Sequence, residues 1–160
     1  MAASSSPTNV KGPQVFINFR GELRNNFVMN LNDALKRQGI NAFVDNDLKA
    51  GENLETLFRK IDESTVALAI LSSRYTESHW CLDELVKIKE CVDRGTLWVI
   101  PIFYKLKTSM VHKLDGDFGL QLWNMWRTKD HNDRDDRILK WDAALQDVGG
   151  KKALRYEESR

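Results

Sequence analysis

Cysteine and histidine are scarce in this chain, and their spacing offers no metal site. The two cysteines, Cys81 and Cys91, fall in one predicted helix, and the three histidines are scattered. Zinc frameworks need closely spaced groups of such ligands, so the sequence predicts no bound metal. The lack of a disulfide framework favours a reducing, cytoplasmic compartment, with the nucleus left open as a second location.

Long apolar runs and an excess of one charge are also missing. No run approaches the roughly 20 apolar residues of a membrane-spanning helix, and residues 1–9 are small and polar, without the apolar centre of a signal peptide. The formal net charge is only +1, so no global field attracts nucleic acid or an anionic membrane. We therefore expect no membrane partner and disfavour a nucleic-acid partner. Residues 1–13 are predicted to be a flexible tail, and residues 157–160 a C-terminal one.

What the chain does contain is the material of one α/β domain, expected over residues 14–156. Its 160 residues are enough for one core, and 42% of them are hydrophobic. Short runs of β-branched or apolar residues predict strands that are covered on both faces. Four such runs are clear: Val15–Phe19, Asn41–Asp45, Val66–Leu71 and Trp98–Tyr104. A fifth candidate strand is Ala153–Tyr156.

Amphipathic helical patterns alternate with these strands. Four apolar stripes lie within residues 27–35, 54–61, 82–92 and 138–148, and glycines follow the first, third and fourth. Residues 105–117 and 127–137 are predicted to be loops. Alternation with short connections favours a parallel sheet with helices on both faces, the flavodoxin-like three-layer fold with strand order 2-1-3-4-5. Its ligand site would lie at the carboxyl ends of the strands, where the first and third strands meet.

Several common chemistries of this architecture lack their motifs here. A dinucleotide-binding domain needs a glycine-rich turn after the first strand, but Gly21 stands alone between Arg20 and Arg24. A phospho-accepting receiver domain needs an acidic cluster there and an aspartate at the end of strand three, and neither is present. The flavin-type phosphate loop, rich in serine and threonine, is also missing. The sequence therefore predicts this fold without a glycine-rich dinucleotide site, a phospho-accepting aspartate or a flavin phosphate loop.

Other residues converge on the same edge of the predicted sheet. Arg20 and Arg24 follow the first strand and could clamp phosphate or carboxylate oxygens, or could be surface arginines paired with Glu22. The loop 46–52 is long enough for a flap, or is an ordinary connector. Trp80 and Glu84 are four residues apart on one helical face, with Ile88 one turn further, so Glu84 is expected to be partly desolvated. The alternative is that Glu84 pairs with Lys87 on a solvated face and Trp80 belongs to the core.

Several motifs along the chain together resemble plant Toll/interleukin-1 receptor (TIR) domains. They occur in the family's order, span roughly residues 14–150, and match most closely short plant proteins that are little more than a TIR domain or that join one to a phloem-lectin-like domain. The motifs are Val15-Phe16-Ile17-Asn18-Phe19-Arg20-Gly21-Glu22, Ser78-His79-Trp80-Cys81-Leu82-Asp83-Glu84-Leu85, Ile100-Pro101-Ile102-Phe103-Tyr104, Phe118-Gly119 and Trp141-Asp142-Ala143-Ala144-Leu145.

This resemblance implies a role in immune or cell-death signalling, association with other TIR domains of the same or another chain, and hydrolysis of NAD+ as a substrate with no further cofactor. Glu84 corresponds to the family's catalytic glutamate and Trp80 to an aromatic residue of the nucleotide pocket. The remaining nucleotide-binding positions lie in the first turn and in the flap 46–52: Arg20, Gly21, Arg24, Lys49 and Gly51.

A single carboxylate suffices for that reaction. Glycosidases usually need a second carboxyl group to protonate the leaving group, but nicotinamide leaves a cationic pyridinium as a neutral molecule. Glu84 would stabilise the oxocarbenium-like state or hold the ribose hydroxyls and orient water. Trp80 would stack on a ring, and the arginines would meet the pyrophosphate.

Some positions depart from the plant TIR pattern and keep a second hypothesis open. The first loop is one residue shorter than usual, and the flap is shortened and has Lys49-Ala50-Gly51. The Ser-His pair of one self-association surface falls on Met29-Asn30, and the usual Asp-Pro-Ser turn appears as Lys107-Thr108-Ser109. The chain is therefore either an NAD+-cleaving enzyme that works as an oligomer, or a non-catalytic module that binds and regulates other TIR domains.

Overall fold

The computed structural model describes residues 14–44, 54–128 and 133–156. Five strands, four to seven residues long except the last, form one parallel sheet of order β2-β1-β3-β4-β5: β1 Gln14–Asn18, β2 Asn41–Val44, β3 Val66–Leu71, β4 Trp98–Tyr104 and β5 Leu154–Tyr156. This order and the all-parallel pairing confirm the predicted flavodoxin-like fold. The bounds of β3 and β4 are those predicted from their apolar runs.

Six helices connect the strands: α1 Met29–Arg37, α2 Leu54–Asp62, α3 His79–Asp93, α4 Thr108–Lys113, α5 Gly116–Thr128 and α6 Asp133–Gly149. A 3₁₀ turn at Gly21–Leu23 and a π-helical turn at Arg24–Val28 precede α1, and a 3₁₀ turn at Tyr75–Glu77 precedes α3. Gly39 and Gly95 follow α1 and α3 with φ of 75° and 80°, a conformation that favours glycine and ends a helix.

The predicted loops at 105–117 and 127–137 are wrong in the described parts. Helix α4 and the start of α5 together occupy most of the first, and buried Val111 anchors α4 to the core. In the second, α5 continues to Thr128 and α6 begins at Asp133, so part of the mixed-charge run is helical. Within α6, Arg137 pairs with Asp83 of α3 at 2.6 Å and lies 4.9 Å from the centre of the Trp141 ring. Arg137 of this charged run therefore lies on the outer side of a packed helix, α6, and not in a loop.

The two faces of the sheet are covered unequally. Helices α2 to α6 contribute to the larger core on one face, where α3 alone buries six residues. On the other face α1 packs against the sheet with no fully buried residue of its own. Trp98 and Leu154 of this face, on β4 and β5, are 79% and 59% exposed. Parallel sheets are usually covered on both sides, so this end of the α1 face is unusually open.

Candidate functional site

The candidate site forms where the carboxyl ends of β1 and β3 lie side by side. Asn18 ends β1 opposite Ala69 of β3, and the strand order reverses at this point, as it does at ligand sites of open α/β sheets. The chain after β3 reaches α3 through residues 72–78, which include the 3₁₀ turn Tyr75–Glu77. The Ser78 hydroxyl caps that helix by accepting a hydrogen bond from the Cys81 backbone N–H at 3.1 Å. The first two turns of α3 are thereby fixed at the sheet edge.

Glu84 lies in the second turn of α3, inside the protein. It is only 4% exposed, and the Asn18 side-chain amide donates a hydrogen bond from Nδ2 to Glu84 Oε1 at 2.8 Å. Lys87, its alternative partner from the sequence, instead contacts Asp62 with 3.1 Å between Nζ and Oδ1. A buried carboxylate costs free energy unless hydrogen bonds compensate it, and such groups concentrate at functional sites.

The amide of Asn18 is itself held from behind by Tyr75. The fully buried Tyr75 hydroxyl donates to Asn18 Oδ1 and also lies 3.2 Å from the Cys81 carbonyl oxygen. Burial raises the pKa of the Tyr75 hydroxyl well above its usual value, and the negative potentials of Cys81 and Glu84 add to this effect. The Tyr75 hydroxyl is therefore neutral at neutral pH and can donate to Asn18 Oδ1, while the two acceptors Glu84 Oε1 and the Cys81 carbonyl oxygen face the Nδ2 end of the amide.

Sequence reasoning missed both Asn18 and Tyr75. A usable signal was present, because Asn18 is the one polar residue in an apolar run from Val15 to Phe19 that was predicted to be buried. A buried side-chain amide needs partners, so it marks a position where the next layer of the fold must supply polar groups. No comparable signal identified Tyr75, which precedes α3 in a short turn.

Arg20 takes part in an ion-pair network at the mouth of the site. Its guanidinium contacts Glu22 at 2.9 Å and Glu77 at 3.4 Å, so the alternative pairing with Glu22 is observed. Arg74 bridges the same two carboxylates, at 3.0 Å from Glu77 and 3.5 Å from Glu22. The hydrogen bond from Arg74 holds the pKa of Glu77 below its ordinary value, with the charges of Arg74 and Arg20 adding to it against a smaller effect of burial. An anionic ligand at this edge would compete with these carboxylates for the two arginines.

Three buried polar atoms at this edge have no hydrogen-bond partner among the described residues. They are Nε1 of the partly buried Trp80, Oγ of Ser72 after β3, and Nε of Arg20 after β1. Buried polar groups are almost always hydrogen-bonded, so we expect each of these atoms to bind a ligand, a water molecule or another part of the chain. Two are donors, and the serine hydroxyl can also donate, so acceptor oxygens of a ligand would suit them.

The remaining predicted site residues are only partly described. Arg24 begins the π-helical turn, but its side chain, like the whole flap 46–52 with Lys49 and Gly51, lies outside the described residues. Gly21 begins the exposed 3₁₀ turn, where an added Cβ would meet nothing within 4 Å. Crowding within the chain therefore does not require glycine at position 21, and its role in nucleotide binding remains a prediction.

Two cavities formed by the described residues lie away from Glu84. One, of about 220 Å³, is lined mainly by apolar residues of α5 and α6, such as Trp123 and Leu139, together with Asp142 and Leu114. The other, of about 470 Å³, lies at the start of β4, between Trp98 and Lys151. Neither cavity is lined by Asn18 or Glu84. We therefore locate the candidate chemistry from side-chain geometry rather than from cavity size.

Comparison with known proteins decides the family, because the model of the TIR domain family matches residues 14–159. The chain belongs to the TIR domain family. Over 161 aligned residues it is 49% identical to Protein PHLOEM PROTEIN 2-LIKE A8 of Arabidopsis thaliana, covering 99% of this chain and 45% of that protein. It is 44% identical to the Arabidopsis Disease resistance protein RBA1, covering 95% of this chain and 41% of the relative. This TIR domain thus spans less than half the length of these two relatives, and the predicted resemblance to plant TIR proteins is confirmed.

A solved structure gives the same result for the fold. The TIR domain superimposes with a TM-score of 0.80, at 35% identity, on a TIR-domain chain of the activated Roq1 resistosome that recognises the pathogen effector XopQ. The alignment covers 90% of this chain and 87% of that one. Among the described residues, no helix is long and apolar enough to cross a membrane.

Proposed function

We propose that this TIR domain, when self-associated, cleaves NAD+ at the nicotinamide–ribose bond with Glu84 as its catalytic carboxylate. One observation carries the proposal: Glu84 is buried at the switch point of the sheet and is oriented by a hydrogen bond from Asn18. Charged side chains are rarely buried, and buried ionisable groups concentrate at functional sites. The similarity to plant disease resistance proteins supports a signalling role in immunity.

The chemistry follows from the charge of the substrate. Nicotinamide leaves as a neutral molecule, and positive charge develops on the ribose as the bond breaks. A carboxylate in a site shielded from water stabilises that charge far more than it would in bulk solvent. The hydrogen bond from Asn18 fixes the direction of the Glu84 carboxylate. Little reorganisation of that side chain is therefore needed when positive charge develops on the ribose. Water then attacks the ribose, and Glu84 is suited to orient that water or the ribose hydroxyls.

Groups around Glu84 match the rest of the dinucleotide. The indole N–H of Trp80 and the Nε of Arg20 are buried donors without partners among the described residues, and both suit acceptor oxygens of a ligand. The Trp80 ring offers a stacking surface for a base. Arg20 is expected to exchange Glu22 and Glu77 for pyrophosphate oxygens, since arginine binds both kinds of anion through paired N–H donors. Arg24, Gly21, Lys49 and Gly51 are proposed to complete the nucleotide contacts.

Nicotinamide release from NAD+ tests the proposal. Purified wild type, Glu84→Gln and Glu90→Gln are compared by chromatography at high protein concentration with a crowding agent, which favours association. Glu90 is an exposed carboxylate on the same helix, so its variant controls for loss of one negative charge on α3. We expect release by wild type and Glu90→Gln and none by Glu84→Gln. Equal release by Glu84→Gln would remove Glu84 from the mechanism.

A second function is favoured by the ion-pair network. Both Arg20 and Arg74 are already engaged by carboxylates, and Met29 is 53% exposed where the family pattern has a polar association surface. These features suit a TIR domain that binds other TIR domains and regulates them without turnover. Absence of nicotinamide release from a folded, associated wild type would support this second function.

A further inference from the structure

We propose that Tyr75 and Asn18 form a positioning relay that fixes the direction of the Glu84 carboxylate. The relay rests on the proposed function of Glu84, but its structural part can be tested without turnover. Its three side chains come from separate elements: Asn18 from the end of β1, Tyr75 from the turn before α3, and Glu84 from α3 itself. All are buried, with Asn18 and Tyr75 fully so.

The first step concerns the Asn18 amide, which has two chemically different ends. Its Nδ2 group attracts a carboxylate, whereas its Oδ1 atom would repel one. Nδ2 lies 2.8 Å from Glu84 Oε1 and 3.4 Å from the Cys81 carbonyl oxygen, so both acceptors are on the same side of the amide. The bond to Glu84 therefore depends on the amide keeping this orientation.

Tyr75 holds the opposite end of the amide and so reinforces this orientation. Its hydroxyl donates to Asn18 Oδ1, and a flipped amide would present N–H groups to that donor and an oxygen to Glu84. The Tyr75 hydroxyl also lies 3.2 Å from the Cys81 carbonyl oxygen, which ties the relay to the first turn of α3. Because the ring is fully buried, neither water nor a second rotamer readily replaces this contact.

Thr76 provides a matched control for the relay. It is also fully buried, directly follows Tyr75, and donates its hydroxyl to a backbone carbonyl, that of Phe118 on α5. Thr76→Val and Tyr75→Phe each delete one buried hydroxyl with little change in volume. We expect both variants to lose comparable stability, and only Tyr75→Phe to disturb the group that faces Glu84.

The experiment uses two readouts on wild type, Tyr75→Phe and Thr76→Val. In protein labelled with ¹³C at glutamate carboxyl groups, the Glu84 resonance is assigned by its absence in Glu84→Gln and followed by NMR over a pH titration. We expect Glu84 to titrate at higher pH in Tyr75→Phe than in wild type, because the carboxylate loses its aligned donor, and to be unchanged in Thr76→Val. In the nicotinamide assay, kcat of Tyr75→Phe falls by about tenfold or more while KM stays near that of wild type.

An unchanged Glu84 titration in Tyr75→Phe, or an equal change in Thr76→Val, would overturn the relay. Asn18→Leu, which removes the amide at similar volume, must reproduce the titration change and replaces Tyr75→Phe if that variant does not fold. If wild type releases no nicotinamide, the proposed enzymatic function fails, while the NMR titration still decides whether the relay controls Glu84.

Discussion

Replacing Asn18 by alanine removes the donor to Glu84, and the cost measures how far the buried carboxylate depends on it. Asn18 is fully buried and Glu84 is 4% exposed, so bulk water does not readily replace the lost amide. A hydrogen bond to a charged group contributes about 1.5–3 kcal/mol, and a buried partner left without its donor adds to the loss. We expect Asn18→Ala to lower the free energy of unfolding by about 3 kcal/mol, which corresponds to about 6–12 °C in Tm for a domain of this size.

A double-mutant cycle isolates the part of this loss that belongs to Glu84. Glu84→Gln keeps an acceptor facing Asn18 and removes the buried charge, so alone it changes stability by about 1 kcal/mol or less. Added to Asn18→Ala, it should restore about 1–2 kcal/mol, because the buried group that has lost its Asn18 donor is then neutral. Urea denaturation at neutral pH, followed by tryptophan fluorescence, supplies the four free energies. Losses that add within about 0.5 kcal/mol would refute the dependence of the carboxylate on Asn18.

Other parts of the structure give further predictions. Glu77 has a lowered pKa, so its pairing stabilises the fold above its ordinary pKa of 4.5 and is lost as pH falls through the lowered value. The stability difference between wild type and Glu77→Gln, measured by denaturation, should therefore shrink in acid, and a difference that grows there contradicts the pairing. Trp98 is 79% exposed, so Trp98→Lys should change the free energy of unfolding by about 0.5 kcal/mol or less. Trp141 is buried, so Trp141→Ala should lower that free energy by about 3–5 kcal/mol. Similar losses for the two variants in chemical denaturation would argue against the described core. Gly119→Ala should lower Tm in calorimetry, since its Cβ would overlap the Leu114 backbone, at a cost of about 1–3 kcal/mol; a wild-type Tm would show that α5 is not packed so closely.

Strand positions were readable from the sequence because a parallel sheet covered on both faces needs continuous apolar runs. This gave the bounds of β3 and β4 and the strand order, since right-handed crossovers leave few alternatives. Helix α4 was not predicted, because six residues are too few to show a helical period. Arg137 illustrates the other failure: a mixed-charge run was interpreted as a loop, but its charge pairs with Asp83 of α3.

For the site, spacing and family resemblance led to the prediction of Glu84 as a catalytic residue, and that role stays a prediction. In the structure Lys87 contacts Asp62, and the Glu84 carboxylate is buried. Its partners could not be derived in the same way. The contact with Asn18 joins residues 66 positions apart and depends on how α3 sits against the end of β1. Periodicity reports which face of an element is buried, but not which polar atoms meet across two elements.

¹H NMR of NAD+ mixed with the concentrated protein tests whether the Glu84 carboxylate cleaves NAD+, as proposed. Resonances of free nicotinamide should appear with wild type and with Glu90→Gln and stay absent with Glu84→Gln, all three proteins being folded and equally associated. Nicotinamide appearing at the same rate with Glu84→Gln as with wild type, or never appearing with associated wild type, would contradict the proposed role of Glu84 in NAD+ cleavage.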